Sequence, residues 1–226
     1  MSDASPLPVF DRDQVLPGGF HMPTRMTVLP LGPGRIALVS PIPIDDAIAA
    51  ELASLGEVAF LVAPNLLHHL YLGDAIARYP EATVLAPRGL RTKRPDLRID
   101  RALEDGLPEE LAAHVEAVRI DGAPSVDEFV FFHRQRRTLV VTDLVFHVRE
   151  PVGFVAHVTF FLVGCHGRLG QSRAWRFFVK DRKAAAASVE RLLALPFEAL
   201  VVAHGENVPL EARAGLEKAL GWMRGG

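Results

Sequence analysis

The sequence predicts a single α/β domain, and three observations carry that prediction. Short apolar runs recur as buried strands: Val58 to Val62, Thr83 to Ala86, Thr138 to Thr142 and Ala199 to Ala203. Between the first two lies a helical stretch, Leu66 to Tyr79, and this strand–helix–strand order marks a covered, largely parallel sheet. Polar residues with ligating or acid–base chemistry follow three of the strands directly, where open α/β folds place ligands.

The remaining elements follow in chain order. Residues 1–24 read as irregular, and residues 25–226 as the domain. Met26 to Leu31 reads as a strand, the Gly-Pro-Gly at 32–34 as a turn, and Arg35 to Ser40 as the next strand. Asp45 or Asp46 caps a helix running to about Ala53. Residues 87–112 are charged and less regular. Val115 to Ile120 reads as a strand. Phe129 to His133 and Thr138 to Thr142 flank the basic HRQRR turn, a hairpin signal. Residues 144–178 read as helical pieces and loops, Asp181 to Leu195 as a helix, and Leu210 to Met223 as a terminal helix.

Composition excludes several classes. Of 226 residues, 49% are apolar and 23% charged, and the formal net charge of −2 argues against a nucleic-acid partner. The acidic, proline-broken N-terminus lacks the basic start and apolar run of a signal peptide, and no apolar stretch is long enough to span a bilayer. The expectation is a cytoplasmic protein with a small-molecule substrate and no membrane partner; a homodimer is left open. The lone Cys165 reads as a buried thiol rather than a nucleophile.

The candidate site lies in Pro64–His69, Thr142–Asp143 and His204–Gly205. Adjacent histidines on a helix point about 100° apart, so His68 and His69 reach one centre only across a tight turn. A set of His68, His69, Asp143 and His204 suits zinc, iron or manganese. The same residues also suit a hydrogen-bonded polar network. Asn65 could cap the helix from 66 or orient a substrate carbonyl; capping is preferred. Arg91, Lys93 and Arg94 form a basic run that either faces the pocket or is solvated. His133 reads as a surface residue, with a fourth ligand or a substrate contact as the alternatives. The aromatic region 154–178, with Phe154, Phe160, Phe161 and Trp175, reads as a lid over the site edge.

The segments VSPIPID, VAPNLLHHLYLGDAIARYPEATVLAPRGLRTKRPDL, FFHRQRRTLVVTDLVF and VVAHG resemble the DUF4336 family, a branch of the metallo-β-lactamase fold superfamily, over about Arg35 to His204. The resemblance implies a four-layer αββα sandwich with metals at one edge. It places Pro64, Leu66, His68 and His69 on the first motif, His-x-His-x-Asp-His, so two histidines are missing and His68 stands where the aspartate does. The further histidine expected within residues 121–128 is absent as well. Asp143 and His204 match the bridging aspartate and last histidine. What remains implies a mononuclear hydrolase of a small ester, lactone or phosphoester, with one divalent ion, zinc first, on His68, His69, Asp143 and His204. In that reading His68 and Asp143 also serve catalysis. The alternative is a non-catalytic module that binds a ligand or protein. At most one tightly held metal per chain is expected; mass-spectrometric metal analysis checks this, and a reproducible stoichiometry near two overturns it.

Overall fold

The computed structural model describes residues 6–225. Two sheets pack face to face with helices outside, the four-layer sandwich that the resemblance implies. The first sheet has the order β1-β2-β3-β4-β5-β6, comprising β1 (Val9–Leu16), β2 (Phe20–Pro30), β3 (Arg35–Val39), β4 (Glu57–Val62), β5 (Thr83–Ala86) and β6 (Arg101–Ala102). From β3 to β6 the neighbours run parallel. The second sheet has the order β10-β9-β8-β7: β7 (Val115–Arg119), β8 (Phe129–His133), β9 (Thr138–Val141) and β10 (Ala199–Val202). Here β9 and β10 are parallel, and the other pairs are antiparallel.

Strand alternation builds three apolar layers. Phe129 and Phe131 of β8 join Val39, Phe60, Val62 and Leu85 of the first sheet in the core between the sheets. Val130 and Phe132, one residue out of phase, face α7 (Arg182–Ala194) and α8 (Ala212–Arg224), where Val189, Leu192, Leu216 and Leu220 cover them. On the outer side of the first sheet, Ile36, Leu38, Leu61 and Val84 pack beneath Leu52 of α1 (Asp46–Leu55), Leu72 of α2 (Leu72–Arg78) and Leu90 of α3 (Gly89–Lys93). Asp45 caps α1 through a 2.9 Å bond from the Ile48 amide. Asp181 caps α7 in the same way at 3.0 Å.

Three expectations are corrected. Within the segment expected to be irregular, residues 1–5 lie outside the described residues, and residues 9–24 are regular: β1 and the start of β2 form an antiparallel hairpin from Val9↔Thr27 to Leu16↔Phe20. Its half-exposed residues produce no apolar run to read. The helix expected over 66–79 is confined to Leu72–Arg78, because Asn65 turns the preceding residues. His133 is no surface residue. It is wholly buried; its Nε2–H donates to the Pro30 carbonyl at 2.8 Å, and its Nδ1 accepts from the Arg136 amide at 3.2 Å.

That pair of bonds fixes His133 as one neutral tautomer, and burial pushes its pKa down. A histidine with a depressed folded pKa binds more protons when unfolded, so its contribution to stability is present above about pH 6.5 and is lost as pH falls below that value. His133→Gln should therefore flatten the fall in stability between about pH 7 and about pH 5 relative to wild type. Urea denaturation at both pH values checks this, and equal slopes for the two proteins would refute it.

Candidate metal centre

Four parallel strands deliver their C-terminal ends to one edge of the sandwich. Ser40 follows β3, Asn65 lies three residues past β4, Asp143 two past β9 and His204 two past β10. The site is assembled from these ends and from the turn at 66–71.

His68, Asp143 and His204 form the cluster. The two Nε2 atoms lie 3.0 Å apart, and each is 3.3 Å from a different oxygen of Asp143. His204 Nδ1 sits 2.7 Å from the Pro23 carbonyl, which can only accept, so Nδ1 carries the proton and neutral His204 turns a bare lone pair inward. His68 Nδ1 sits 2.7 Å from Ser40 Oγ. The Phe146 ring stacks on His204 at 4.7 Å and 10°, which fixes the plane of that imidazole.

Beneath the imidazoles lies a buried carboxylate pair. Glu128 is 0% exposed and accepts from the Thr142 and Asp143 amides at 2.9 and 3.0 Å. Burial and the nearby Asp143 charge both push its pKa up. Burial also pushes Asp143 upward, but the His68 and His204 imidazoles outweigh it and hold that carboxyl below its ordinary range. Asn65 joins the two: its Nδ2 donates to Asp143 Oδ2 at 2.7 Å, to Thr142 Oγ1 at 3.1 Å and to Glu128 Oε2 at 3.4 Å. Its Oδ1 accepts from the Leu67 and His68 amides at 2.8 and 2.7 Å. The expected capping function is present, but it caps a turn rather than a helix.

His69 does not join the cluster. The turn set by Asn65 sends its ring the other way, where Nδ1 accepts from Arg94 at 3.1 Å, and burial with the Lys93 and Arg94 charges pushes its pKa down. Lys93 donates to the Leu66 carbonyl at 2.6 Å and Arg94 pairs with Asp96 at 2.7 Å, so neither faces the pocket. The aromatic region closes over the site only in part. Phe160 of α5 (Phe154–Val163) packs on Phe146, and Trp175 Nε1 donates to the Asp143 carbonyl at 2.6 Å, whereas Phe154 and Phe161 face outward. Cys165 is buried and its thiol is pushed up to about 12, away from nucleophile chemistry.

Two site residues were not singled out from the sequence. Ser40 has φ +57°, which turns the chain out of β3 and directs Oγ at His68. Glu128 was readable in principle. The register Phe131↔Val140, continued three steps, sets residue 128 opposite residue 143.

The donor set fits a divalent cation. Around a tetrahedral ion with bonds of about 2.0–2.1 Å, ligand atoms stand roughly 3.3 Å apart, close to the separations found here. The three residues could hold one such ion. Beside them is a cavity of about 60 Å³ edged by Met22, Pro41, Leu67, Leu70 and Tyr71.

No protein-family description matches the chain, and no curated protein is similar to it in sequence. Solved structures do match. The DIM-1 metallo-β-lactamase exposed to ceftazidime superposes with a TM-score of 0.62 at 12% identity over 95% of this chain and 92% of its own. The FIM-1 metallo-β-lactamase from Pseudomonas aeruginosa in its mono-zinc form gives 0.56 at 14% identity over 97% of each chain. The metal-soaked Flv1 flavodiiron core from Synechocystis sp. PCC6803 gives 0.63 at 12% identity, over 95% of this chain but 58% of that one. The fold is thus that of the metallo-β-lactamases. No helix among the described residues is long and apolar enough to cross a membrane.

Asn65 bonds both carboxylates, the Thr142 hydroxyl and the amides of Leu67 and His68. Asn65→Ala strips a partner from two carboxylates and two amides in a buried site, and should cost about 2–4 kcal/mol. Chemical denaturation measures this; a loss under about 0.5 kcal/mol, ordinary for an inconsequential surface change, would refute the arrangement.

Proposed function

We propose that the chain is a mononuclear metal-dependent hydrolase of a small neutral ester or lactone, and that it belongs to the DUF4336 branch its sequence resembles. The observation that carries this reading is the triangle of His68 Nε2, His204 Nε2 and Asp143, all turned toward one point. With Nδ1 donating to Pro23, a neutral His204 presents a lone pair there, which a metal ion or a proton on His68 answers. Zinc is the first choice for two imidazoles and a carboxylate. The mono-zinc FIM-1 neighbour supports single occupancy, and the flavodiiron neighbour keeps iron in view.

When bound, the ion supplies Lewis acidity and a water of lowered pKa. The protein's own groups do the rest. His204, held by Pro23 and Phe146, keeps its lone pair on the reacting side. Asp143 is the proton acceptor nearest that point, and Asn65 restrains one of its oxygens. Ser40 sets the orientation of His68; with Nε2 engaged, Nδ1–H donates to Ser40 Oγ. Leu67, Leu70 and Tyr71 offer an apolar wall to an acyl group. Among the described residues, no Lys or Arg edges this cavity, which favours a neutral ester over a phosphoester.

A second reading is a non-catalytic binding module. Pro64 and Leu66, where the superfamily's first two histidines stand, favour it, as does a cavity far below the roughly 300 Å³ of drug-sized sites.

Metal titration with thermal melts separates the readings. Asp143→Asn and His204→Ala should each weaken zinc binding at least about 100-fold, Ser40→Ala by about 10–100-fold, and His69→Ala little. Wild-type protein that takes up no zinc, manganese or iron(II) is the module, not the hydrolase. Metal loss in H69A with retention in H204A would overturn the assignment of the ligands.

A further inference from the structure

Helix α5 is apolar on its inner and outer faces, with His157 and Thr159 between them. Its buried side, Ala156 and Phe160, packs on Phe20 and Phe146. Its outer side carries Phe154, Val155, Val158, Phe161 and Leu162 within about 120° of the helix circumference. Phe154 is 82% exposed and Phe161 71%. The patch is on the order of 500 Å², at the upper end of what a monomer leaves uncovered. A helix that is apolar on both faces has normally been buried by something.

The surface next to it is basic. Phe161 and Leu162 edge a cleft with Arg168 and Arg173, and these two arginines continue into a cavity of about 500 Å³ shared with Arg176, Lys218 and Trp222. Among the described residues, no acidic one lines that cavity. Among the described residues, none of Arg168, Arg173, Arg176 and Lys218 has a carboxylate in ion-pair reach, although twelve other arginines do. Arg168 and Arg173 donate only to the Gly164 and Leu162 carbonyls at the end of α5, and Arg176 lies over the Trp222 ring at 5.6 Å. From Pro151 through Lys180 the sequence has four Lys or Arg and no Asp or Glu, in a chain of net charge −2.

We infer that this face docks on an anionic lipid surface, with Phe154, Phe161 and Leu162 entering the boundary between headgroups and acyl chains and Arg168, Arg173, Arg176 and Lys218 receiving lipid phosphates. An exposed apolar helix face rimmed by unpaired cations has the composition of an interfacial anchor. A second copy answers the apolar face but not the charge. A two-fold contact presents the same patch from both sides, so Arg168 and Arg173 would meet an acid-free basic surface. The expectation of no membrane partner rested on the missing span, and a surface contact requires none.

Vesicle sedimentation of the full chain tests this, with phosphatidylcholine vesicles containing or lacking about 30 mol% phosphatidylserine. Wild type should bind the anionic vesicles only, and less as salt rises. Phe154→Ser with Phe161→Ser should weaken binding at least about tenfold. Arg168→Gln with Arg173→Gln should weaken it roughly 25-fold, near fivefold per cation. Near-ultraviolet circular dichroism establishes that both variants are folded. Absence of vesicle binding, equal binding to neutral vesicles, or binding untouched by either double variant overturns the inference. So does a wild-type dimer that F154S/F161S makes monomeric, without vesicle binding, which assigns the face to a second copy. Calorimetric binding of inorganic phosphate that R168Q/R173Q abolishes, again without vesicle binding, assigns the cavity to a free anion.

Discussion

The negative charge on Asp143 is the constraint around which the rest of the site is arranged. A carboxylate two residues past a buried strand is costly unless its field is answered. Here a second carboxylate, Glu128, lies close enough to add to the cost. The answer is distributed. His68 and His204 face the Asp143 oxygens, Asn65 donates to one of them, and backbone amides of residues 142 and 143 turn to Glu128. Each donor depends on a particular strand end staying in place. This couples the chemistry of the edge to the register of both sheets.

Register does more here than position single residues. The β8–β9 hairpin sets Glu128 across from Asp143, and the parallel β9–β10 pair brings Asp143 and His204 to adjacent ends. A one-residue slip of β9 would turn Val140 out of the core between the sheets and displace Asp143 as well. Core packing and site geometry are therefore enforced by one pattern of apolar alternation, and the fold is kept at 12–14% identity to the metallo-β-lactamase structures it matches.

What was legible in the sequence follows from that coupling. The buried runs before Asn65, Asp143 and His204 are dense in Val, Leu and Ala, so their ends could be placed within a residue or two. The β1–β2 hairpin was not legible, because its outer residues alternate between half-exposed and exposed and contain two aspartates and an arginine. The choice between His68 and His69 was not legible either. It is made by Asn65 Oδ1 gripping two successive amides, a local turn that leaves no trace in hydrophobic periodicity. Ser40 is missed for a related reason: a positive φ at a residue other than glycine is a property of the folded chain rather than of the residue type.

The hold on His204 ties the beginning of the chain to its end. Pro23 on the first hairpin fixes the imidazole proton across 181 positions, and Arg25 reaches the Val202 carbonyl across 177. During synthesis the β1–β2 hairpin emerges well before the groups it must engage, which follow it by 177 and 181 positions. The centre therefore cannot exist on a nascent chain that stops short of β10, however well the earlier strands have paired. Contacts of such long range are late, entropically demanding events in folding. Any ion held by all three residues has to be acquired after β10 and His204 have been made, and a product that stops before β10 would keep His68 and Asp143 without the imidazole that completes the cluster.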